Sequence, residues 1–197
     1  KDPNAYNPER AKQLLAEDGW KDTDGDGILD KDGKPLTFNF IVYNSRAELP
    51  LYAEAVQADL KKVGIDMKIK TVDYNLIDKM GQDGDYDMLI SNIVTANTGD
   101  PIWFLANYWH TNNNGSNPQN GSGYSNPQVD QLLDAAETEF DPAKRRDYAM
   151  QIQQLLMNDG AALFLGYPKT NIVTGSYLKG AVMYPSDYYW ITNKITK

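Results

Sequence analysis

The 197-residue chain has no cysteine, which removes disulfides, thiolate nucleophiles and zinc sites built on Cys. It has one histidine, His110. A single imidazole leaves no multi-His metal site and no Ser-His-Asp set with any redundancy, and no G-x-S-x-G motif occurs. Hydrolase chemistry is therefore poorly supported. Positive charge is scarce: 19 Lys and Arg stand against 27 Asp and Glu, a net charge of −8. Nothing in that balance would neutralise nucleic-acid phosphates or dock on an anionic bilayer. No apolar run approaches the roughly 20 residues of a spanning helix. The chain opens on Lys1-Asp2-Pro3, without Met or a signal segment, and reads as a processed or excised piece.

Hydrophobic content of 41% and charged content of 23% are ordinary for a globular protein, and the length admits one large domain or two small ones. The organising stretch runs from Tyr86 to Leu133. A strand pattern over Tyr86–Val94 empties into the polar turn Thr95–Pro101, followed by the aromatic segment Ile102–His110. Open α/β sheets bind ligands where a core strand delivers polar groups and aromatics to its carboxyl end. Two readings stay open: the aromatics line a ligand surface, or they are core and the turn is only a turn. Asp100 is a helix cap for a segment starting at Pro101.

Before that stretch, periodicity predicts a helix over Pro8–Asp18, capped by Asn7, with Ala11, Leu14 and Leu15 as its apolar stripe and Trp20 folded back on it. A strand is expected over Lys34–Tyr43, with Leu36, Phe38, Phe40 and Val42 on one face. The helix Pro50–Val63 should turn Leu51, Ala55, Ala58 (or Val56) and Leu60 inward, and Gly64 ends it. A second strand over Ile65–Val72 and a short helix over Asn75–Met80 complete a β-α-β-α-β order, which predicts a layered α/β sheet. Beyond the stretch, Pro127–Phe140 and Pro142–Asp159 read as amphipathic helices capped by Asn126 and Asp141. Leu132, Leu133, Ala136 and Phe140 line the first; Tyr148, Ile152, Leu155 and Leu156 line the second. Strands are expected over Ala162–Tyr167 and Asn171–Val173, and the aromatic tail Ala181–Ile191 is a candidate strand. The Asn/Gly/Ser loop from Asn112 to Gly123 is long enough to suggest a functional or mobile segment.

The segment Asp22–Gly33 has the opening of an EF-hand-type calcium loop. Its carboxylates alternate, a glycine allows the sharp turn, and a hydrophobic residue follows two places on. Asp22, Asp24, Asp26, Ile28 (through its carbonyl) and Asp30 are the candidate ligands. The twelfth place, which should close the shell with an acid, is Gly33, for which Asp30 or Asp32 would have to substitute. The alternative is a solvated acidic hairpin.

Several separated motifs together resemble one family. "YNPERAKQLLAEDGW" and "DTDGDGILDKDGKPLTF" are followed by "LKKVGIDMKI", "GDYDMLI", "GDPIWFL", "GYSNPQVDQLLDAA" and "RRDYAMQIQQLL". Their order is similar to that in the C-terminal lobe of family 5 extracytoplasmic solute-binding proteins, the oligopeptide-, dipeptide- and nickel-binding receptors of ABC importers. The resemblance implies an α/β fold, a periplasmic-binding-protein-like (class II) lobe with a mixed sheet flanked by helices. Residues 1–197 would form one lobe of a two-lobed protein, with the N-terminal lobe absent and the tail 176–197 packed toward it. It implies a binding protein and no enzyme. Such a protein captures a small polar solute, a peptide or a nickel or other metal chelate, in an interlobe cleft and delivers it to a membrane permease. The expected location is extracytoplasmic, in the periplasm or as a cell-surface lipoprotein, with no nucleic-acid partner and no membrane insertion of this segment. No cofactor is required; calcium in the acidic loop is the one candidate. The residues expected to meet the ligand are Asn97, Thr98, Tyr108, Trp109 and His110. Peptide-binding members carry an acid three residues ahead of the Asp of the Asp-Pro pair, where it meets the ligand's ammonium. Here that place is Asn97, and "FLANYW" and "PSDYYWI" look more like the nickel-type branch. A calcium-stabilised extracellular interaction module without a transport role is the alternative function.

Overall fold

A computed structural model of the chain describes residues 4–95, 99–113, 115–169, 171–183 and 192–197. Helix α1 (Pro8–Glu17) starts as its sequence dictates: the Asn7 side chain accepts from the Arg10 amide at 2.9 Å, and Pro8 needs no partner for an N–H it lacks. Ala11, Leu15 and Trp20 pack on Leu36, Val63 and Ile65, while Leu14 points to solvent. A small hairpin follows, β1 (Asp30–Lys31) antiparallel to β2 (Lys34–Pro35). Asp32 and Gly33, at φ 52 and 73, form the two-residue turn between them. Left-handed backbone at both positions suits the twist of paired strands, and Asp-Gly supplies it at low cost. The strand expected over Lys34–Tyr43 is thus divided, with its first residues in this hairpin.

The main sheet is parallel, in the order β4-β3-β5, with β3 (Thr37–Tyr43), β4 (Asp66–Val72) and β5 (Met88–Leu89). Its register runs from Thr37 opposite Asp66 to Tyr43 opposite Val72, and β5 pairs Met88 with Phe40 and Leu89 with Ile41. Phe40, Ile41, Val42 and Tyr43 are all buried. The single apolar face expected for this strand is therefore a correction: β3 is the centre of the sheet and both its faces are covered, as is usual for parallel strands. The stretch 86–94 lies at the sheet's edge. Only its middle joins the ladder, and then the Asn92 amide turns to the Tyr43 hydroxyl at 3.0 Å and its side chain to Glu48 at 2.9 Å.

Helix α2 (Glu48–Lys61) joins β3 to β4 and starts two residues earlier than expected, with Pro50 tolerated in its first turn. Leu49, Ala53, Val56 and Leu60 face the sheet, while Leu51, Ala55 and Ala58 are exposed, so of the expected inward set only Leu60 and the alternative Val56 hold. A 3₁₀ turn (Tyr74–Leu76) leads into α3 (Ile77–Asp83), which Gly84 ends at φ 69.

The second half is helical: α4 (Pro101–Trp109), α5 (Pro127–Thr138) and α6 (Pro142–Asn158). Each begins with the same device, an Asp or Asn before a proline. Asp100, Asn126 and Asp141 accept from the amides of Ile102, Gln128 and Ala143 at 2.9, 2.9 and 2.8 Å. Ile102, Leu105, Trp109, Val129, Leu133 and Ile152 lie at the centre of the cluster. Arg145 ties it together, donating to Asp100, to the Ala136 carbonyl and to the Glu139 carbonyl. Phe140, expected in the core, lies beyond the end of α5 and is 93% exposed. The helical cluster meets the sheet half at Gly81 and Gly121, whose main chains touch, and the Tyr86 hydroxyl donates to the Gly121 carbonyl beside them.

The strands expected over Ala162–Tyr167 and Asn171–Val173 do not form among the described residues. A strand needs a ladder, and no described main chain pairs with either segment; Leu163, Tyr167 and Val173 project into solvent. Most of the aromatic tail, residues 184–191, lies outside the described residues. Among the described residues no helix is long and apolar enough to cross a membrane.

Candidate functional site

The carboxyl end of the sheet gathers phenols. Tyr43 is the last residue of β3, and Tyr74 follows β4; their rings meet edge to face at 5.1 Å between centroids. Tyr108 comes from α4, half-buried and tilted against Phe104 at 5.2 Å. Burial pushes the Tyr108 phenol up, and the charge of Asp78 with the phenols of Tyr74 and Tyr43 pushes it the same way. Tyr43 is buried, so Tyr74 and Tyr108 are the phenols that this end of the sheet presents, with Asp78, Glu48 and Asn92 beside them. That combination suits a polar ligand that needs hydrogen bonds and flat apolar contact together. Tyr43 and Tyr74 were not among the expected ligand residues. Their signal was an aromatic at the end of each of two strands, weak until β3 and β4 are seen side by side. Asn97 and Thr98, expected here, lie outside the described residues.

Trp109 and His110 follow Tyr108 in sequence but turn elsewhere. Trp109 is buried in the helical cluster, its ring 5.8 Å from that of Tyr124 and nearly perpendicular to it. Its Nε1 is buried and has no hydrogen-bond partner among the described residues. His110 follows the last residue of α4; its ring Nε2 lies 3.2 Å from Asp134 Oδ1 and its Nδ1 3.3 Å from the Thr111 carbonyl. Of the three adjacent candidates, Tyr108 alone faces the sheet's carboxyl end. The reason is helical geometry: successive residues are turned about 100° apart, so neighbours in sequence cannot share a face.

Two polar cavities lie on either side of Tyr86, away from that aromatic group. One, of about 320 Å³, is lined by Asn39, Lys70, Asp85 and Asp87 among others. The other, of about 390 Å³, lies between the end of α3 and the loop after α4, with Asp83, Asn112, Asn120 and Gly121 on its walls. Asn120 is 3% exposed, and its side-chain amide donates to the carbonyls of His110 and Tyr124, both at 2.9 Å. Asn117 donates to Ala106 at 3.2 Å and His110 at 2.7 Å. Both amides thus reach the His110 carbonyl, one residue past the end of α4, where no further helical turn supplies a donor.

The acidic loop folds around its own backbone. Asp22 accepts from Gly25 at 2.7 Å and Gly27 at 3.0 Å, Asp24 from Asp26 at 3.2 Å, and Asp26 from Ile28 at 2.7 Å. Asp30 Oδ2 accepts from the Thr23 amide and hydroxyl at 3.2 and 3.0 Å. Oxygens of Asp22, Asp24 and Asp30 come within 4.8 Å of one another, so this trio could hold a divalent cation. Asp26 stands outside the trio, and Ile28 could contribute only its carbonyl. Gly33 cannot complete the shell, because it sits in the hairpin turn.

Residues 1–116 match the family described as bacterial extracellular solute-binding proteins, family 5 middle. The chain is 32% identical over 187 residues to the oligopeptide-binding protein AppA of Bacillus subtilis (strain 168), covering 91% of this chain and 33% of AppA. It is 26% identical over 190 residues to the nickel-binding protein NikA of Staphylococcus aureus (strain NCTC 8325 / PS 47), covering 96% and 36%. The solved structure of AppA in complex with a nonapeptide superposes with a TM-score of 0.82 at 30% identity, over 96% of this chain and 37% of that one. NikA from S. aureus in complex with Ni(L-His)2 superposes at 0.66 with 29% identity, over 79% and 30%. The chain thus spans about a third of the length of the curated relatives it matches. With sequence, fold and motif order in agreement, the chain belongs to the family 5 bacterial extracellular solute-binding proteins.

Proposed function

We propose that this chain is the C-terminal lobe of the substrate-binding component of an ABC importer. The whole protein works outside the cytoplasm, closes two lobes on a small polar solute and hands it to a membrane permease, without catalysis. The observation that carries this reading is the match to AppA over nearly all of this chain and only a third of AppA. AppA's bound nonapeptide and its higher identity favour a peptide as the solute; the Ni(L-His)2 complex of NikA makes a metal chelate the second candidate. Asn97 in place of an acid weakens the case for a peptide held by its ammonium. The ligand surface consists of Asn97, Thr98 and Tyr108, joined by Tyr74, while the buried Tyr43 backs Tyr74 and Trp109 and His110 fix α4 behind them. The exposed apolar segment Leu163–Tyr167 and the tail 176–197 pack toward the other lobe, which would cover side chains that water now meets. Calcium is the cation of the Asp22, Asp24 and Asp30 trio, since an all-oxygen, carboxylate-rich shell suits a hard ion.

Titration calorimetry on the whole two-lobed protein tests the reading, with a nonapeptide and Ni(L-His)2 as probes. One of the two should bind, and Tyr108→Ala should weaken that binding by about 1–3 kcal/mol, the range for losing a buried aromatic contact. The lobe alone should bind weakly, because one wall encloses half the ligand while the cost of immobilising it is incurred in full. Binding of neither probe would sink the solute assignment, and an unchanged affinity in Tyr108→Ala would remove α4 from the site.

A further inference from the structure

His110 joins three elements. Its backbone carbonyl accepts the side-chain amides of Asn117 and Asn120 from the loop after α4. Its ring reaches α5 through Asp134 at 3.2 Å, with Asp130 Oδ1 3.7 Å from Nδ1. Asp130 in turn accepts from the Thr111 amide at 2.9 Å. The two hydrogen-bond partners of the ring, the Thr111 carbonyl and the Asp134 carboxylate, can only accept. A neutral imidazole has one N–H and one bare nitrogen, so it satisfies one partner and sets a lone pair against the other. An imidazolium donates to both.

Position adds a second argument. The ring stands at the carboxyl end of α4, where the helix dipole favours a cation. The charged groups that face it are Asp130 and Asp134, both from α5; neither α4 nor residues 111–123 carry a charged side chain other than His110 itself. Burial pulls the imidazole down, but the bonds to Thr111 and Asp134 and the charges of the two aspartates outweigh it. The net shift is upward from the ordinary value of 6.5.

We propose that His110 is a proton-operated clasp. As imidazolium it draws the end of α4 onto α5 and so holds the loop 111–123, one wall of the 390 Å³ cavity; as imidazole it lets that loop loosen. Because the folded-state value is raised, the clasp contributes fully below about 6.5 and is lost as pH rises through the folded value.

His110 is the chain's only histidine, so one ring-proton resonance reports its titration by NMR, and H110Q identifies that resonance by removing it. The midpoint should lie above 6.5 in the folded protein. D134N, at a largely exposed side chain, should lower the midpoint without unfolding the chain. Amide exchange at Asn117–Gly121, corrected for intrinsic rates, should slow by about three-fold or more as pH falls through the midpoint. In H110Q that pH dependence should vanish. A midpoint at or below 6.5, a midpoint unmoved by D134N, or loop protection that is flat across the titration would each overturn the clasp. So would an H110Q protein whose loop keeps the full pH dependence.

Discussion

Two loops of this molecule are rich in short polar side chains, and they do opposite things with them. Residues 22–30 use aspartates, and residues 112–123 use asparagines. A carboxylate can only accept, so Asp22, Asp24 and Asp26 turn to amides of their own loop and stay in water with their charge. An amide side chain also donates, so Asn117 and Asn120 reach the carbonyls at the end of α4, and Asn120 is buried as a neutral group can be. One loop is closed on itself and gathers negative oxygens; the other is sewn to a helix. A difference of one atom per side chain separates an electrostatic site from a structural plug.

Swapping the chemistry between the loops should break the comparison most visibly. Asn120→Asp should destabilise the fold by about 3 kcal/mol or more in urea unfolding, because it buries a carboxylate against two carbonyl oxygens. Asp24→Asn in the acidic loop should change stability by under about 0.5 kcal/mol, since an amide oxygen can keep the bond to Asp26 and the site is exposed. Equal costs would mean that the buried, donating amide of Asn120 is not what separates the loops.

The next effect belongs to the acidic loop alone. Calcium at about 100 times its dissociation constant should stabilise the chain by about 2.7 kcal/mol, seen as a rise in melting temperature, and Asp24→Ala should abolish it. A rise that survives Asp24→Ala would place the ion elsewhere. A smaller effect, about 1–2 kcal/mol, is expected for Gly121→Ala, whose Cβ would stand 3.1 Å from Gly81 Cα and force the two halves apart. Loss of stability without a rise in exchange at residues 112–123 would show that the loop does not depend on this approach.

The smallest effect concerns the far end of the asparagine loop. Tyr124 donates to Asp159 at 2.6 Å, and Asn126 does so at 2.8 Å. Burial first, and then the bond to Asp159, push the Tyr124 phenol up to about 12, while these two bonds hold the Asp159 carboxyl below its ordinary value of 3.8. Asp159 therefore contributes fully above its unfolded value and ceases to as pH falls through the lowered one. Tyr124→Phe should remove the last step of an alkaline spectrophotometric titration and slightly flatten the acid limb of the stability curve. An unchanged alkaline titration would assign that step to another phenol.

What could be read in advance was what is local. Asn7, Asp100, Asn126 and Asp141 cap their helices as the Asp/Asn-Pro pairs announce, because cap and first turn lie within four residues. The inward face of α2 was misjudged because a helix begun at Pro50 leaves out Leu49, the first of the inward set Leu49, Ala53, Val56 and Leu60; Leu51 lies about 200° around the helix from it. The burial of Trp109 could not be deduced from PIWFLANYW, a segment apolar on most of its circumference. Tyr43 and Tyr74 meet only through the pairing of β3 with β4, a contact that no window of sequence contains. The segment 162–167 has a strand's composition and no strand, since composition says nothing about whether a partner is at hand.

The separation of the two cores along the chain has a kinetic consequence. Every buried residue of the sheet core falls between Phe40 and Ile90, and every one of the helical core between Ile102 and Leu156. Neither core waits for residues from the other, so the loops that must close are short and nucleation can occur twice, independently. During synthesis at about 5–20 residues per second, the sheet half emerges some seconds ahead and can fold before α5 exists. Pulse-labelled exchange should then show protection first in β3 and β4, next in the helices, and last at Gly81 and Gly121, where two finished bodies dock.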